Sequence, residues 1–494
     1  MNEESELLYQ LADGRYITSP EISEKMAYIK QVHPETSYQE DSTPYSWDEA
    51  GMADLFSECY KNDTRYCPEA KSWFTYEAGV WQKDVGALLV SAKIKEFVRI
   101  MALYCGEITD EETRKKYMGF VGRMGDRRFR ERIAKDAADC MRISITEFDR
   151  NPYLLNCMNG TYDLETGAFY EHRYSDYLTM QTKFSYRVQN VRCDRWETFI
   201  SEVTQGDEGK ANYLQRALGY SILGTSKEEC MFILWGKTTR NGKSTLLDAI
   251  QHMLGDYASV APVELICKSE RQKDANAPSS TLAQLKGKRF VCMSESDTSG
   301  KLDESVIKQY TGGEEITARE MYQSSFTYKP QFTMWLSCND LPTVRDKSLF
   351  ASDRVRVIEF NRHFSDEEQD KGLKDYFESD EAMEGIFTWL ITGCQEYKRN
   401  GLKMNQEMQK VVKQYAKDND IVLQYLEDRC EVCNNSSIKA KTLYDNYKVW
   451  CKSNGFYVCS LKKFIAEIVT HPEWYHEKTL NHGAVVFTGV KLKE

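Results

Sequence analysis

The chain has 494 residues, 41% of them hydrophobic and 29% charged, and a net charge of −11. That length exceeds what one hydrophobic core supports and points to about three domains of ordinary globular composition. The acidic balance excludes a surface coated in basic residues for wrapping duplex DNA, and no apolar run reaches the roughly 18 residues of a membrane-spanning helix.

The first residues, Met1-Asn-Glu-Glu-Ser-Glu6, are acidic and lack the basic and apolar regions of a signal peptide. A cytoplasmic location is the expectation, with no membrane partner. Residues 1–60 read as an acidic, partly loose N-terminal segment. Residues 61–194 read as a mostly helical domain that also holds strand-like pieces at 73–76 and 79–81 and a turn at Asn159-Gly160. Basic residues crowd the stretch from Arg114 to Lys135. They fit either a solvated helix face or a contact with nucleic acid or another subunit.

From residue 195 to 365 helical runs give way to apolar strands alternating with helices and loops, the pattern of an α/β sheet domain. Its centre is the most informative stretch. The apolar run Cys230-Met-Phe-Ile-Leu-Trp235 meets Gly236-Lys-Thr-Thr-Arg-Asn-Gly-Lys-Ser-Thr245, which opens an amphipathic helix. Strand, Gly-bounded loop and helix in that order form a phosphate-binding loop, whose backbone N–H groups and helix N-terminus attract anions. Gly236, Asn241, Gly242, Lys243, Ser244 and Thr245 are therefore expected to bind ATP. Lys243 would reach the β- and γ-phosphates, and the Ser244 hydroxyl would hold Mg²⁺. One departure stands out: the usual pattern has four residues between its glycines, whereas five separate Gly236 from Gly242, so Lys237 occupies the first glycine's place.

The strand around 290–293 ends in Glu295, where P-loop proteins place the carboxylate that organises Mg²⁺ and water. Glu295 is the catalytic candidate, with Asp297 as a possible second metal ligand. Two extended runs then flank a polar tip, which reads as a hairpin. The strand at 332–336 leads to Asn339, an amide placed to sense the γ-phosphate. Arg354 and Arg356 follow as candidate arginine fingers, acting on a neighbouring subunit's nucleotide. Residues 366–425 are helical. Residues 426–494 carry helix-like runs at 441–452 and 460–469 and a hairpin-like stretch. The fifteen cysteines are scattered, and Cys230, Cys292 and Cys338 lie in apolar runs, so reduced structural thiols are expected. Cys430, Cys433, Cys451 and Cys459 have the wrong spacing for a zinc ribbon.

The order Asn241-Gly-Lys-Ser-Thr245, Ser294-Glu295, Lys308 with Thr311-Gly-Gly313 and Ala318-Arg319, Ser337-Cys-Asn339 with Pro342, then Arg354-Val-Arg356 resembles superfamily III helicases. Within them it is similar to the phage and plasmid primase–helicase branch that includes poxvirus relatives. The resemblance covers most of residues 70–490. Asn151-Pro-Tyr-Leu-Leu-Asn156, Asn159-Gly160 and His172 resemble the helical domain before the motor. Leu443-Tyr-Asp-Asn-Tyr447, Trp450, Asn454-Gly455 and Phe464 resemble a C-terminal winged-helix module.

The family implies an AAA+ P-loop NTPase core assembled as a homohexameric ring, with nucleotide between subunits and 3′–5′ movement on single-stranded DNA. It places Lys308, Arg319 and Tyr322 near the DNA-contacting hairpin, and Lys462 and Lys463 on a recognition helix. A basic residue is frequent at the family's hairpin tip, where this chain has Tyr-Gln-Ser-Ser. Arg354 is the preferred finger. Some 60–70 residues precede the helical domain, too few for a polymerase core, so no primer synthesis is expected and a separate primase or initiator becomes a candidate partner. The leading reading is an ATP-dependent replicative helicase of a phage, plasmid or integrated element, working on single-stranded and forked DNA. An origin-binding initiator or loader, with ATP controlling assembly on duplex DNA, is the alternative; a small-molecule kinase fits least.

Overall fold

The computed structural model describes residues 9–10, 16–17, 19–32, 45–187, 191–268, 280–294, 300–319, 325–344, 348–481 and 483–493. At its centre lie five parallel strands: β1 (Met231–Trp235), β2 (Ala258–Val260), β3 (Phe290–Ser294), β4 (Thr333–Cys338) and β5 (Val355–Glu359). Their spatial order is β2-β3-β4-β1-β5. Strands covered on both faces are apolar without interruption, and Met231, Phe232, Ile233 and Leu234 are fully buried. Alternate side chains serve opposite faces. Phe232, Leu234, Phe290 and Trp335 pack with Trp196, Leu214, Leu246 and Ile386. On the other face Met231, Ile233, Val291 and Met334 pack with Ile307, Ile316, Val412 and Tyr415. The first face is covered by helices Asp194–Thr204, Glu208–Ser221 and Asp380–Asn400 and by α1 (Lys243–Leu254).

β1 sits between β4 and β5 although neither adjoins it in sequence. A crevice outside the carboxyl ends of the strands, where connections diverge, is the usual ligand position of such sheets. The P-loop NTPase-like α/β core expected from the sequence is what the sheet presents.

Upstream, helices at 49–60, 88–104, 111–124 and 127–140 surround a core of Met52, Phe56, Phe97, Tyr117 and Ile133. Two three-stranded antiparallel sheets accompany them. The expected boundaries at residues 60 and 194 both fall inside packed units. Helix Glu49–Tyr60 buries Met52, Leu55, Phe56 and Tyr60 in the N-terminal core. Leu155, Tyr162 and Phe184 share one core with the motor helices. Arg289, buried just before β3, fixes this junction by donating to the carbonyls of Ile222 (2.7 Å) and Leu154. Four residues of the basic stretch are in ion pairs: Lys115 with Glu111, Lys116 with Glu112, Arg127 with Glu131 and Arg132 with Glu49. That pairing favours the solvated-face reading.

Residues 373–429 hold four helices, Asp380–Asn400 among them. The C-terminal unit runs helix (Ile421–Arg429), strand (Cys430–Lys439), helix (Ala440–Ser453), helix (Leu461–Val469), then a hairpin of Glu477–Asn481 and Ala484–Leu492. The last strand lies at the centre of this sheet, over a core of Tyr425, Leu443, Tyr447, Trp450 and Phe464. No helix of the described residues is long and apolar enough to cross a membrane. No disulfide joins any of the fifteen cysteines.

Candidate nucleotide site

β1 ends at Trp235 and α1 begins at Lys243, so residues 236–242 form the loop between a buried strand and a buried helix. Gly242 caps α1 with φ +86°, a backbone that side chains rarely adopt, and a Cβ there would lie 2.5 Å from Val203 Cγ1. At Gly236 a Cβ would lie 2.3 Å from the Phe360 carbonyl. Both glycines are thus demanded by close approach of neighbouring elements. α1 buries Leu246, Leu247, Ile250, Met253 and Leu254, which anchors the helix and leaves its N-terminus at the crevice.

Lys243 is 95% buried, as its 5% exposure shows. Its ammonium donates to the Gly236 carbonyl (3.1 Å) and to Asn339 Oδ1 (3.0 Å). Asn339 immediately follows β4, and its carbonyl accepts from Trp235 Nε1 at 3.0 Å. Two residues 96 positions apart therefore meet because β4 lies beside β1. Asn241 is buried and Ser244 and Asn339 are exposed, while Thr245 is half-buried in the first turn of α1. A cationic amine that donates to neutral acceptors at a helix N-terminus can exchange them for phosphate oxygens. Glu295 and Asp297, the acidic candidates, lie outside the described residues, just beyond the end of β3.

A second layer ties the loop down, and sequence reasoning missed it. Arg240 is ion-paired with Asp366, the Phe364 N–H donates to the Arg240 carbonyl (2.9 Å), and His363 Nδ1 lies 2.9 Å from the Thr239 carbonyl. The only advance signal was position, since 360–366 follow the strand beside β1.

The two arginines differ sharply. Arg356, on β5, is 7% exposed. Its guanidinium donates to the Leu402 carbonyl (2.7 Å), the Asp353 carbonyl (3.2 Å) and Glu228 (3.2 Å). Burial works against its charge, but Cys230, Tyr213 and Glu228 more than offset that and raise its pKa. Burial pushes the Cys230 thiol up to about 12, keeping it neutral. Arg356 is therefore a structural cation, which leaves Arg354 of the two candidates. Arg354 precedes β5, pairs with Glu229 and donates to Thr311 Oγ1 at 2.8 Å. It lies at the amino end of the sheet, roughly five residues or about 16 Å of strand from the phosphate loop. An arginine side chain does not span that distance.

Strands Ile316–Ala318 and Phe326–Tyr328 pair as the anticipated hairpin. Arg319 leads toward its tip and Lys308 lies on the preceding helix, Glu304–Thr311, both half-buried. Tyr322 lies outside the described residues. Lys462 and Lys463 are exposed on helix Leu461–Val469. Among the described residues no group of three or more His, Cys, Asp or Glu is placed to hold a metal.

Comparison with known proteins adds three family matches: "D5 N terminal like" over residues 53–205, a family of unknown function (DUF5906) over 234–354, and "Poxvirus D5 protein-like" over 417–486. A helicase-named protein of Acanthamoeba polyphaga mimivirus is 25% identical over 480 residues, covering 90% of this chain and 49% of the relative. A helicase-named protein of Invertebrate iridescent virus 6 is 24% identical, covering 70% of this chain and 39% of the relative. The chain thus spans about half, or less, of the length of these curated relatives. The solved C-terminal region of NrS-1 aligns over 90% of this chain and 99% of its own length, at 11% identity and a TM-score of 0.49.

Proposed function

We propose that this chain, which belongs to the D5-like superfamily III helicase–primase family, is the ATP-driven motor of a replicative DNA helicase. The observation that carries the reading is the bond between Lys243 and Asn339, which joins the phosphate loop after β1 to the end of β4. It puts a phosphate-binding cation and a polar group able to position water in one crevice. The glycine cradle, the buried Lys243 and the exposed Ser244 fit ATP with Mg²⁺. In this reading Lys243 and the backbone of 242–245 hold the phosphates. Ser244, Glu295 and Asp297 would hold Mg²⁺, which supplies charge neutralisation at the phosphates.

Arg354 acts in trans, completing the site of a neighbouring copy in an AAA+ ring, for which a homohexamer is the proposed form. The β2-β3-β4-β1-β5 order supports the AAA+ assignment. Arg319 and Tyr322 of the hairpin, with Lys308 on the helix before it, would contact single-stranded or forked DNA, and movement is 3′–5′. The helicase names of the viral relatives support a role in copying a viral or mobile DNA element, alongside a separate primase or initiator.

A second reading has its own support. The helix–strand–helix–helix–hairpin order of the C-terminal unit fits a winged helix, with Lys462 and Lys463 exposed on the helix that would enter a major groove. That favours an initiator or loader on duplex DNA.

Strand separation of a forked duplex with ATP, wild type beside Lys243→Ala, decides between them. The motor reading predicts hydrolysis and unwinding by the wild type and neither by the variant. Hydrolysis by wild type without strand separation would favour the initiator, and full hydrolysis by Lys243→Ala would refute the site.

A further inference from the structure

A cavity of about 240 Å³ opens beside the phosphate loop, with Gly242 and Thr245 in its wall. Its other walls come from helix Asp194–Thr204, through Arg195, Phe199 and Glu202, and from the segment after β5, through Phe364, Glu368 and Leu373. Phe199 is buried against the loop, 3.2 Å from where a Gly242 Cβ would stand. Phe364 is half-buried.

Three features single this cavity out. It is continuous with the residues that would hold the phosphates, so a nucleoside attached to those phosphates reaches it directly. Its charged rim is paired: Arg195 with Glu202 (3.1 Å), Arg240 with Asp366, Arg362 with Glu368, and Lys374 with Asp248 (2.6 Å). Gln369, Asp370 and Lys371 add a polar edge, and Phe199, Phe364 and Leu373 form an apolar, aromatic wall suited to a neutral planar ring. Finally, Phe364 is bound through its N–H to the Arg240 carbonyl of the loop itself, so whatever seats on Phe364 also steadies the phosphate loop.

We propose that this cavity is the nucleoside site, with the base of the triphosphate stacked on Phe364 and supported by Phe199 and Leu373. The inference rests on the ATP-site reading and adds to it the residues that hold the base. Base binding then organises the phosphate loop through the Phe364–Arg240 and His363–Thr239 contacts.

The test compares two probes, a non-hydrolysable ATP analogue and inorganic tripolyphosphate, which carries phosphates without a nucleoside. Both are titrated onto wild type, Phe364→Ala and Phe364→Trp. Loss of a stacking ring weakens the analogue by about tenfold and leaves tripolyphosphate unchanged. Phe364→Trp retains analogue affinity, and its indole emission is quenched as the analogue binds. Equal weakening of both probes would make Phe364 only a support for the loop, and unchanged analogue affinity would place the base elsewhere; either overturns the inference while the phosphate site stands. Failure of wild type to bind either probe would overturn the ATP-site reading together with this one.

Discussion

The two ends of the central sheet handle positive charge in opposite ways. At the carboxyl end the buried Lys243 donates to two neutral acceptors, the Gly236 carbonyl and Asn339, and so ties the loop after β1 to the end of β4. At the amino end both arginines already have carboxylate partners, Arg354 with Glu229 and Arg356 with Glu228. Neutral acceptors can be exchanged for the oxygens of an incoming anion, whereas the two arginines each hold a carboxylate of their own chain. Within the amino end a further split appears. Arg356 is enclosed by two carbonyls and a buried cluster, while Arg354 holds a half-exposed glutamate at the rim. Only the rim cation can be lent to another molecule.

This contrast can be broken or sharpened by substitution. The largest effect is expected at the carboxyl end, where Lys243→Ala removes ATP hydrolysis with the fold retained, as circular dichroism and a hydrolysis assay would show. Next is Arg354→Ala. If Arg354 is a finger supplied in trans, kcat falls on the order of 10³-fold, while stability falls by only about 1–2 kcal/mol, because Glu229 is half-exposed and stays solvated when the pair is lost. Steady-state kinetics beside thermal denaturation separates the two quantities. Arg356→Ala should behave in reverse. Removing one partner of a buried pair costs about 3–5 kcal/mol, read as a large drop in melting temperature, with nucleotide binding kept in the protein that remains folded. Stability unchanged in Arg356→Ala would contradict its structural role. The smallest effect is the roughly tenfold loss of nucleotide affinity in Phe364→Ala.

The strand, loop and helix of residues 231–254 were legible in the sequence because they are contiguous there. The strands at 290–294 and 333–338 were legible for a related reason: strands buried on both faces leave uninterrupted apolar runs. Legibility failed where structure depends on distant partners. Nothing near Arg356 in sequence announces that Leu402 and Glu228 enclose it, since these lie 46 and 128 positions away. β2 has three residues, too few for a periodic signal. The strand Cys430–Lys439 is polar and mostly exposed, with a register shift between Val432 and Ser437, and so lacks alternation. The cavity beside the phosphate loop combines residues from about 195–202 with others from 364–374, which only the β1–β5 adjacency brings together. Helix Glu49–Tyr60 was hidden within an acidic stretch, although Met52, Leu55 and Phe56 lie on its buried side.

The division of labour between the sheet's two ends is tested most directly by mixing. Lys243→Ala and Arg354→Ala are each inactive in this account, but for different reasons: one lacks the phosphate cation, the other the finger it offers its neighbour. Equal amounts of the two variants, assembled together on single-stranded DNA, are assayed for ATP hydrolysis. The account predicts that activity returns, because a ring of both kinds contains interfaces where an intact Lys243 faces an intact Arg354. Co-assembly without recovered hydrolysis would contradict it, and would return Arg354 to the role of an ordinary surface ion pair.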